Sequence, residues 1–482
     1  MHHTDENPNQ TYFSDNPEFP SKIIVFTLFI GAFFGYLNDT LLNVALTKIM
    51  ADFHVDKITV QWLTTGFLLI MGAFTPITAN LIQWLETRKM VLITQTIFIV
   101  GSLICIFATN FPVLMFGRVF QAIAAAFFVP ILFNGILTIF PILTIFPPNQ
   151  RGKAMGVITM MFTAAPAMGP TISGVIIDHL SWRYLFWLTI PFMVLAMLLV
   201  SKFLTVNLSD ITKPKVDIPS VIASILGFGG LVYASSNFES LPLAVFVAVM
   251  IISLMIIAFF VKRQLTLDVP LLNLRVFEFK QFRYVAIILV CGSFLFLGME
   301  LLFPMYTQQV LLMTGTATGL MLMPASIAQA IAAPLFGALL DKKGGRFMLI
   351  PATIALLGSL GAMWTFLDLQ TNTIVLTILF TAMAVSVSAC ITDETHGLNA
   401  LPRELNPHGT STLTTLNPIA GALGAAFFVG LTSIGEKMSQ ATNPQQDMLN
   451  GIHLAMACAF VVAVIAFVSA FQIKTNDWRK TE

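Results

Sequence analysis

Long apolar runs fill most of this chain, and short polar segments separate them. A helix needs about 20 apolar residues to cross the hydrocarbon core of a bilayer. Fourteen runs meet that length, so the sequence predicts an all-α, polytopic membrane protein with fourteen spans. The predicted spans are Lys22–Leu46, Ile58–Trp84, Met90–Thr109, Pro112–Phe140, Gly152–Asp178, Tyr184–Val206, Ile218–Ser236, Leu241–Lys262, Phe282–Thr307, Gly315–Leu340, Phe347–Leu367, Asn372–His396, His408–Thr432 and Gly451–Ile473.

The predicted spans group as six, two and six along the chain. The units are a tail at 1–21, a six-helix half at 22–206, two inserted helices with linkers at 207–281, a second half at 282–473 and a tail at 474–482. Many transporters built from two related halves place the substrate site between the halves, near the middle of the membrane. We expect the site there and the inserted pair as a peripheral spacer.

Basic residues are distributed unevenly between the two sides of the predicted membrane. Short cytoplasmic loops of membrane proteins carry an excess of Lys and Arg. With the N-terminus inside, most of the 25 basic residues fall in cytoplasmic segments, and only Lys48, Lys57, Arg183 and Lys437 fall in external ones. Both termini are therefore expected in the cytoplasm.

Composition supports a lipid-embedded protein. Hydrophobic residues make up 56% of the chain and charged residues 10%, against roughly 25% charged in soluble domains. The four cysteines fall in separate spans and are expected as free core residues, since they form no disulfide or metal-ligand pattern. The chain also lacks a phosphate-binding loop, which argues against an ATP-driven pump. We expect no cofactor and no nucleic-acid partner.

Five charged residues lie inside the predicted spans: Asp39, Arg118, Glu300, Asp393 and Glu394. A charge in hydrocarbon costs about 3 kcal/mol on insertion scales, so such residues usually have a function. Glu300 lies among Phe and Leu residues and is expected to carry a proton or to stay protonated and hydrogen-bonded across helices. Asp393 and Glu394 point about 100° apart on a helix. At most one should face a cavity, unless both lie at headgroup level with His396 as an interfacial neighbour.

Polar residues recur at helical spacing around Asp39. Tyr36, Asp39, Thr40, Asn43 and Thr47 follow one another at three- and four-residue steps, which places them on one helix face. Polar faces of membrane helices are usually turned toward protein or water. We expect Asp39 to line a pathway, with Tyr36 and Asn43 as polar cavity residues. The alternative is an Asp that only bonds to a neighbouring hydroxyl.

Span four carries the segment Arg118–Ala126, which reads RVFQAIAAA. An Arg side chain keeps its charge under all physiological conditions, so Arg118 can serve as a fixed cation beside a carboxylate. Its alternative role is to tie helices together through backbone carbonyls. Gln121 lies three residues further on and is expected in the cavity.

The loop Gly337–Arg346 reads GALLDKKGGR and resembles the cytoplasmic loop signature of the major facilitator superfamily. Asp341 is expected near a helix N-terminus while the basic residues, with Arg346, hold neighbouring helix ends in a latch that breaks during transport. The corresponding loop of the first half is degenerate. It has Gln83 and Trp84 where the family has Asp and Arg, which leaves Arg88.

Span five contains Ala165–Gly174, which reads APAMGPTISG and resembles the superfamily's antiporter signature. Gly169 and Gly174 allow a neighbouring helix to approach closely, while Pro170 bends the span and frees a carbonyl. We expect these residues to act in the conformational change.

Two further segments point to one branch of this superfamily. Leu37–Leu46, which reads LNDTLLNVAL, and Gly397–Glu404, followed by PHGT, resemble the fourteen-span drug:proton antiporters of the QacA/EmrB/LmrB type. The resemblance implies a multidrug efflux antiporter of the bacterial cytoplasmic membrane. Such a protein is a monomer that exports hydrophobic, often cationic compounds in exchange for protons and uses no cofactor beyond the proton gradient. Many members place the acid where Asn38 stands here, so Asp39 is rotated by about 100° around the helix.

Two alternatives stay open at this point. One is an exporter or symporter of an endogenous metabolite on the same fold, and the other is a membrane receptor or enzyme. A tandem repeat, Ile136–Pro141 followed by Ile142–Pro147, is expected to form an interfacial turn after span four, because Pro141 breaks the helix. We expect the repeat to lengthen one cytoplasmic connection and to have no further role.

Overall fold

The computed structural model describes residues 21–81, 84–139, 168–204, 211, 217–237, 241–267, 270–402, 405–438 and 443–473. The helices are α1 Ser21–Phe53, α2 Lys57–Leu81, α3 Thr87–Ile106, α4 Phe111–Ile139, α5 at 168–179, α6 Arg183–Phe203, α7 Ile218–Asn237, α8 Leu243–Thr266, α9 Lys280–Met305, α10 Gly315–Lys343, α11 Gly345–Phe366, α12 Thr373–Thr392, α13 Glu394–Asn399, α14 Asn406–Met438 and α15 Pro444–Phe471. A 3₁₀ turn, Leu274–Glu278, precedes α9, and a π turn, Tyr306–Val310, follows it.

The structure confirms the all-helical membrane fold. Thirteen helices within the described residues are long and apolar enough to cross a membrane. The helical segment at 168–179 corresponds to the end of the fifth predicted span. The rest of that span and the second copy of the tandem repeat lie outside the described residues.

Several helices continue beyond the predicted apolar runs. α1 extends to Phe53 and ends where His54 adopts a positive φ of 51°. α15 begins at Pro444, seven residues before the predicted start, and its first turn is capped by the side chain of Asn443. Hydropathy marks the part of a helix that lies in lipid, whereas caps and backbone conformation mark its true ends.

The twelfth predicted span is not a single helix. α12 ends at Thr392, Asp393 occupies the junction, and the short helix α13 follows. The predicted range, Asn372–His396, includes this junction, and the segment Thr373–Leu398 as a whole is long and apolar enough to cross a membrane. Apolar periodicity does not distinguish a straight helix from two helical segments joined at one residue.

The two halves meet along several helix pairs, and two of them border the space between the halves. α2 packs against α14, and α1 packs against α9. One apolar cluster continues across this boundary and includes Leu42 of α1, Met299 of α9 and Phe428 of α14. A site between the halves is thus bordered by α1 and α2 on one side and by α9 and α14 on the other.

The inserted pair is peripheral only in part. α8 packs against α7 and the 3₁₀ turn and exposes most of its apolar surface, as a lipid-facing helix does. α7, in contrast, contacts both α2 and α14. Val232 of α7 belongs to an apolar cluster with Phe67 of α2 and Ala426 of α14. α7 therefore lies between the halves and contacts both, and the absence of a direct role for the inserted pair stays a prediction.

Candidate functional site

Side chains of the two halves join at the end of the bundle where α2 begins and α14 ends. Lys57 of α2 forms an ion pair with Glu436 of α14. Gln308 of the π turn accepts a hydrogen bond from Thr47 and donates one to the Val44 carbonyl at 3.1 Å. These contacts bring α1 and α2 against the second half, so the bundle is closed at this end.

A second set of contacts joins α5 to the start of α10. The Asp178 carboxylate accepts hydrogen bonds from the backbone N–H groups of Gly315, at 3.2 Å, and Thr316, at 2.6 Å. Lys48 of α1 lies 3.8 Å from the same carboxylate. The first N–H groups of a helix lack intrahelical partners and favour a negative charge. Asp178 therefore caps α10 from the opposite half.

The glycines of the span-five motif lie where helices touch. A side chain at Gly174 would overlap the backbone carbonyl of Gly315, and one at Gly169 would overlap the Thr40 hydroxyl. Pro170 presents its carbonyl oxygen to Gly319 at the same contact. The motif thus packs α5 against α1 and α10. Its role in the conformational change stays a prediction.

At the opposite end, two hydrogen bonds each lie within one half. Arg88 donates to the carbonyl of Ser201 in the first half. Gln281 donates to the carbonyl of Gln472 in the second half. Contacts of this kind do not oppose separation of the halves at that end.

Arg118 is fully buried in the first half. It donates hydrogen bonds to the carbonyls of Leu63, at 3.1 Å, and Asn38, at 3.4 Å, and to the side-chain oxygen of Gln121, at 3.0 Å. Its guanidinium lies 4.1 Å from the ring centre of Phe67. These contacts tie α1, α2 and α4 together, as the second of the two roles considered for Arg118 requires.

Gln121 donates a hydrogen bond to Ser102 of α3 at 2.8 Å while it accepts from Arg118. Its amide is therefore engaged between α3 and α4, inside the first half. In the described residues Gln121 makes no hydrogen bond to the second half, so its expected position in a cavity between the halves stays a prediction.

The polar face of α1 meets several neighbours. Asn43 accepts a hydrogen bond from Thr64 of α2 at 3.2 Å, Thr40 faces α5, and Thr47 bonds the π turn. Tyr36 is half-buried. The side chain of Asp39 lies outside the described part of the structure, although its backbone falls within α1.

Glu300 lies in the interior of α9 with 3% of its side chain exposed. α9 contacts α1, which carries Asp39. The arrangement places the backbones of these two acidic positions on neighbouring helices of opposite halves. Whether their carboxylates face each other stays a prediction.

Asp393 is fully buried at the junction of α12 and α13. Neither carboxylate oxygen accepts a hydrogen bond from the described residues. A Cβ on Gly345, the first residue of α11, would lie 2.6 Å from the Asp393 Oδ1 atom and 3.4 Å from His396 Nδ1. Glu394 is half-buried. His396 is buried and packs on the start of α11; its level relative to the membrane interface stays a prediction.

Gly344 lies between α10 and α11 in the loop of the superfamily signature, and its φ of 85° is a conformation that favours glycine. Arg346 is exposed in the first turn of α11, and Lys343 lies 4.2 Å from the ring centre of Phe347. The Asp341 side chain lies outside the described residues. The buried carboxylate beside the start of α11 is that of Asp393, a neighbour that the sequence did not reveal.

The described residues hold no cluster of His, Cys, Asp and Glu that could bind a metal ion, and their cysteines are unpaired. The candidate site consists of buried acidic residues, an Arg that joins helices of the first half, and contacts that close one end of the bundle.

The profile of the Major Facilitator Superfamily matches residues 28–429. The chain belongs to this superfamily. It is 36% identical over 469 residues to the lincomycin resistance protein LmrB of Bacillus subtilis, covering 94% of this chain and 95% of LmrB. This relative confirms the resemblance to the fourteen-span QacA/EmrB/LmrB type.

Two further comparisons agree with this classification. The uncharacterized MFS-type transporter YcnB of Bacillus subtilis is 37% identical over 465 residues, covering 95% of this chain and 96% of YcnB. The crystal structure of the human organic anion transporter MFSD10 (TETRAN) superposes with a TM-score of 0.62 at 14% identity, covering 94% of this chain and all of that one. The structural likeness shows the fold alone. The chain is thus a multi-pass membrane transporter and not an enzyme.

Proposed function

We propose that this superfamily member exports drugs, lincomycin among them, from the cytoplasm in exchange for protons. The observation that carries the proposal is the burial of Glu300 inside α9, which contacts the helix that bears Asp39. Acidic residues inside membrane helices are costly and typically mark proton relays or substrate sites. The similarity to LmrB, named for lincomycin resistance, supports a drug as the exported molecule.

The closed end and the distribution of basic residues support an inward-facing state, and the similarity to LmrB, named for lincomycin resistance, supports export. If the end with Lys57 and Glu436 is external, a drug enters from the cytoplasmic end while the external end stays shut. Separation of α2 from α14 and of α5 from α10 then opens the exit. The two halves alternate access around a site between them, as related transporters do.

Protons from outside return through the acidic residues. In this scheme Asp39, Glu300, Asp393 and Glu394 are the candidate carriers, and a cationic drug competes with protons for at least one of them. Protonation in the outward-open state weakens the attraction for the drug and promotes its release. Arg118 holds α1 and α2 in the arrangement that this competition needs.

Everted membrane vesicles test the proposal directly. Vesicles energised by a proton gradient should accumulate radiolabelled lincomycin, and a protonophore should release it. Vesicles without the protein are the control. Accumulation that survives the protonophore would contradict proton coupling. An absence of drug accumulation would favour the alternative, transport of an endogenous metabolite.

The proposed orientation has a separate test. An epitope tag on either terminus should be protected from protease in intact cells and become cleavable after the membrane is permeabilised. A C-terminal tag that is cleaved in intact cells would contradict an even number of spans.

A further inference from the structure

The interface between α2 and α14 contains buried polar groups without hydrogen-bond partners. Gln61 of α2 is 1% exposed, and in the described residues neither its amide nitrogen nor its amide oxygen has a partner. Thr65, one helical turn further on, is fully buried and its hydroxyl is likewise unpaired. Buried side-chain polar atoms in proteins are mostly hydrogen-bonded, so each exception calls for an explanation.

The face of α2 that carries these residues is turned toward the second half. A Cβ on Gly72 would lie 2.7 Å from Ile419 of α14, and Gln61, Thr65 and Gly72 share one helix face by their spacing. On the α14 side, the buried Ser433 hydroxyl also lacks a partner in the described residues. Unpaired polar groups thus occur on both sides of this interface.

A narrow cavity lies beside Gln61, between the halves and next to the closed end. The space that water can occupy there is about 10 Å³, which is room for about one molecule. Met50 of α1, Met305 of α9 and Gln309 of the π turn line it together with Gln61. Lys57 also borders the cavity, but its ammonium group is engaged by Glu436.

The closed cavity has room for about one water, so its lining defines the chemistry that the interface offers to a larger molecule once α2 and α14 separate. Two amides, Gln61 and Gln309, offer donors and acceptors without charge. Two methionines supply flexible apolar surface that adapts to different shapes. This combination fits an apolar molecule with a neutral amide, hydroxyl or carbonyl group. It differs from the acidic positions Glu300 and Asp393, which suit a cation or a proton.

A buried amide without partners is costly in the closed state, where it loses its hydrogen bonds to water. The cost is removed when α2 and α14 separate, because the amide then meets water or a passing molecule. We propose that Gln61, with Gln309, forms a release-side subsite that hydrogen-bonds neutral polar groups of the outgoing substrate. The inference rests on the proposed export function and adds a site distinct from the acids.

Two probes with different chemistry test the subsite. Lincomycin carries an amide and hydroxyl groups, whereas tetraphenylphosphonium is a cation without hydrogen-bonding groups. Gln61→Leu keeps the approximate side-chain volume and removes the amide. In everted vesicles this variant should lower the Vmax/KM for lincomycin by about threefold to tenfold, as loss of one neutral hydrogen bond does. The Vmax/KM for tetraphenylphosphonium should stay within about twofold of the wild type.

Gln95→Leu is the matched control. Gln95 is also 1% exposed and its amide oxygen is unpaired in the described residues, but it lies on α3, which belongs to the first half. This variant should leave the ratio of the two transport efficiencies unchanged. Size-exclusion chromatography of the purified variants checks that each one is folded.

The remaining outcomes contradict the subsite in different ways. Equal losses for both probes would assign Gln61 to packing of the interface, and unchanged transport would assign the cavity to an ordered water. Wild-type accumulation of tetraphenylphosphonium alone would show that neutral groups are not recognised. Wild-type transport of neither probe would overturn the proposed function itself, and the subsite with it.

Discussion

Asp178 and Thr316 link the two halves through a hydrogen bond of 2.6 Å from the Thr316 backbone N–H to the Asp178 carboxylate. The same carboxylate receives the N–H of Gly315 at 3.2 Å. A residue of α5 therefore caps the N–H groups of Gly315 and Thr316, in addition to Thr314, whose side chain accepts the N–H of Ala317. When the halves separate at this end, α10 loses this cap.

Replacing Asp178 should loosen the first turn of α10. Loss of a helix cap costs about 0.5–2 kcal/mol, so in Asp178→Ala the amide hydrogens of Gly315 and Thr316 should exchange roughly 2-fold to 30-fold faster, as RT converts that range. Hydrogen–deuterium exchange measured by mass spectrometry on the purified protein checks this. Glu86→Ala, which removes an exposed ion pair with Lys89, should leave exchange at α10 unchanged. Equal exchange in both variants would show that the cap does not hold the closed end.

Gly169 and Thr40 form a contact that a single methyl group should disrupt. A side chain at Gly169 overlaps the Thr40 hydroxyl, and overpacking typically costs about 1–3 kcal/mol. Gly169→Ala should lower the melting temperature of the purified protein, and adding Thr40→Ala should recover part of the loss. Gly358→Ala is the control, because a Cβ there meets nothing within 4 Å. Additive effects of the two substitutions would argue against this contact.

Arg118 should not be replaceable by Lys. An ammonium group cannot reproduce the forked donors that reach the carbonyls of Leu63 and Asn38. A buried carbonyl left unpaired costs about 1–3 kcal/mol. Arg118→Lys should lower both the melting temperature and the drug transport rate, whereas Arg346→Lys, at an exposed position, should change neither. Wild-type stability and transport in Arg118→Ala would make Arg118 a spectator.

An ion-pair clamp joins the inserted helices at one end, between Asp217, which precedes the first of these spans, and Arg263 in the last turn of α8. Arg263 donates two hydrogen bonds of 2.6 Å to the Asp217 carboxylate, and Gln264 donates to Ser220 and accepts from the backbone N–H of Leu272. The Arg263 side chain, with a hydrogen bond from Ser220, lowers the pKa of Asp217 from 3.8 to about 2. The clamp thus joins α7 and α8 to the linker that leads to the second half.

The pKa of Asp217 sets the pH range in which the clamp acts. Because the folded value lies below the unfolded one, the stabilisation is complete above about pH 4 and disappears as the pH falls toward 2. The melting-temperature difference between the wild type and Asp217→Asn should be largest at neutral pH and shrink over that interval. Glu278→Gln, in the same linker, serves as the control. A difference that does not change with pH would contradict the pKa.

The sequence predicted the helical fold well because lipid imposes one requirement on every span. A long apolar run has no other stable solution in a bilayer. The junction at Asp393 was not predictable in this way, since the apolar run continues through it. The position of α7 depends on surfaces of α2 and α14 that are far apart in the chain, and hydropathy contains no information about such partners.

Only part of the candidate site could be predicted from the sequence, because hydropathy reveals a charge inside a span but not the partner of a polar residue near a span end. Buried charges such as Glu300 stand out against an apolar background. Gln61, Asp178 and Glu436 do not, because a polar residue near a span end is ordinary in a membrane protein. The i, i+4 spacing of Gln61 and Thr65 on one face of α2 was the one available signal for the release-side interface. It indicates a polar face, but does not say which helix covers it.

The last prediction concerns the division of roles between the acids of α1 and α9. Asp39 and Glu300 lie on contacting helices of opposite halves, and we predict that their carboxylates face each other, so that a cation or proton between the halves interacts with both. Asp39→Asn and Glu300→Gln should each reduce proton-coupled efflux of cationic drugs. In at least one of them the drug should still bind, and binding should no longer weaken as the pH falls, because the competing proton site is absent. Binding measured against pH on purified protein, paired with vesicle transport, separates the two effects.

Glu86→Gln, at an exposed position, is the matched neutralisation control. If both variants pump cationic drugs at the original rate and with the original pH dependence, proton coupling does not pass through these two residues. The buried Asp393, whose oxygens have no hydrogen-bond partner among the described residues, would then be the next acid to neutralise.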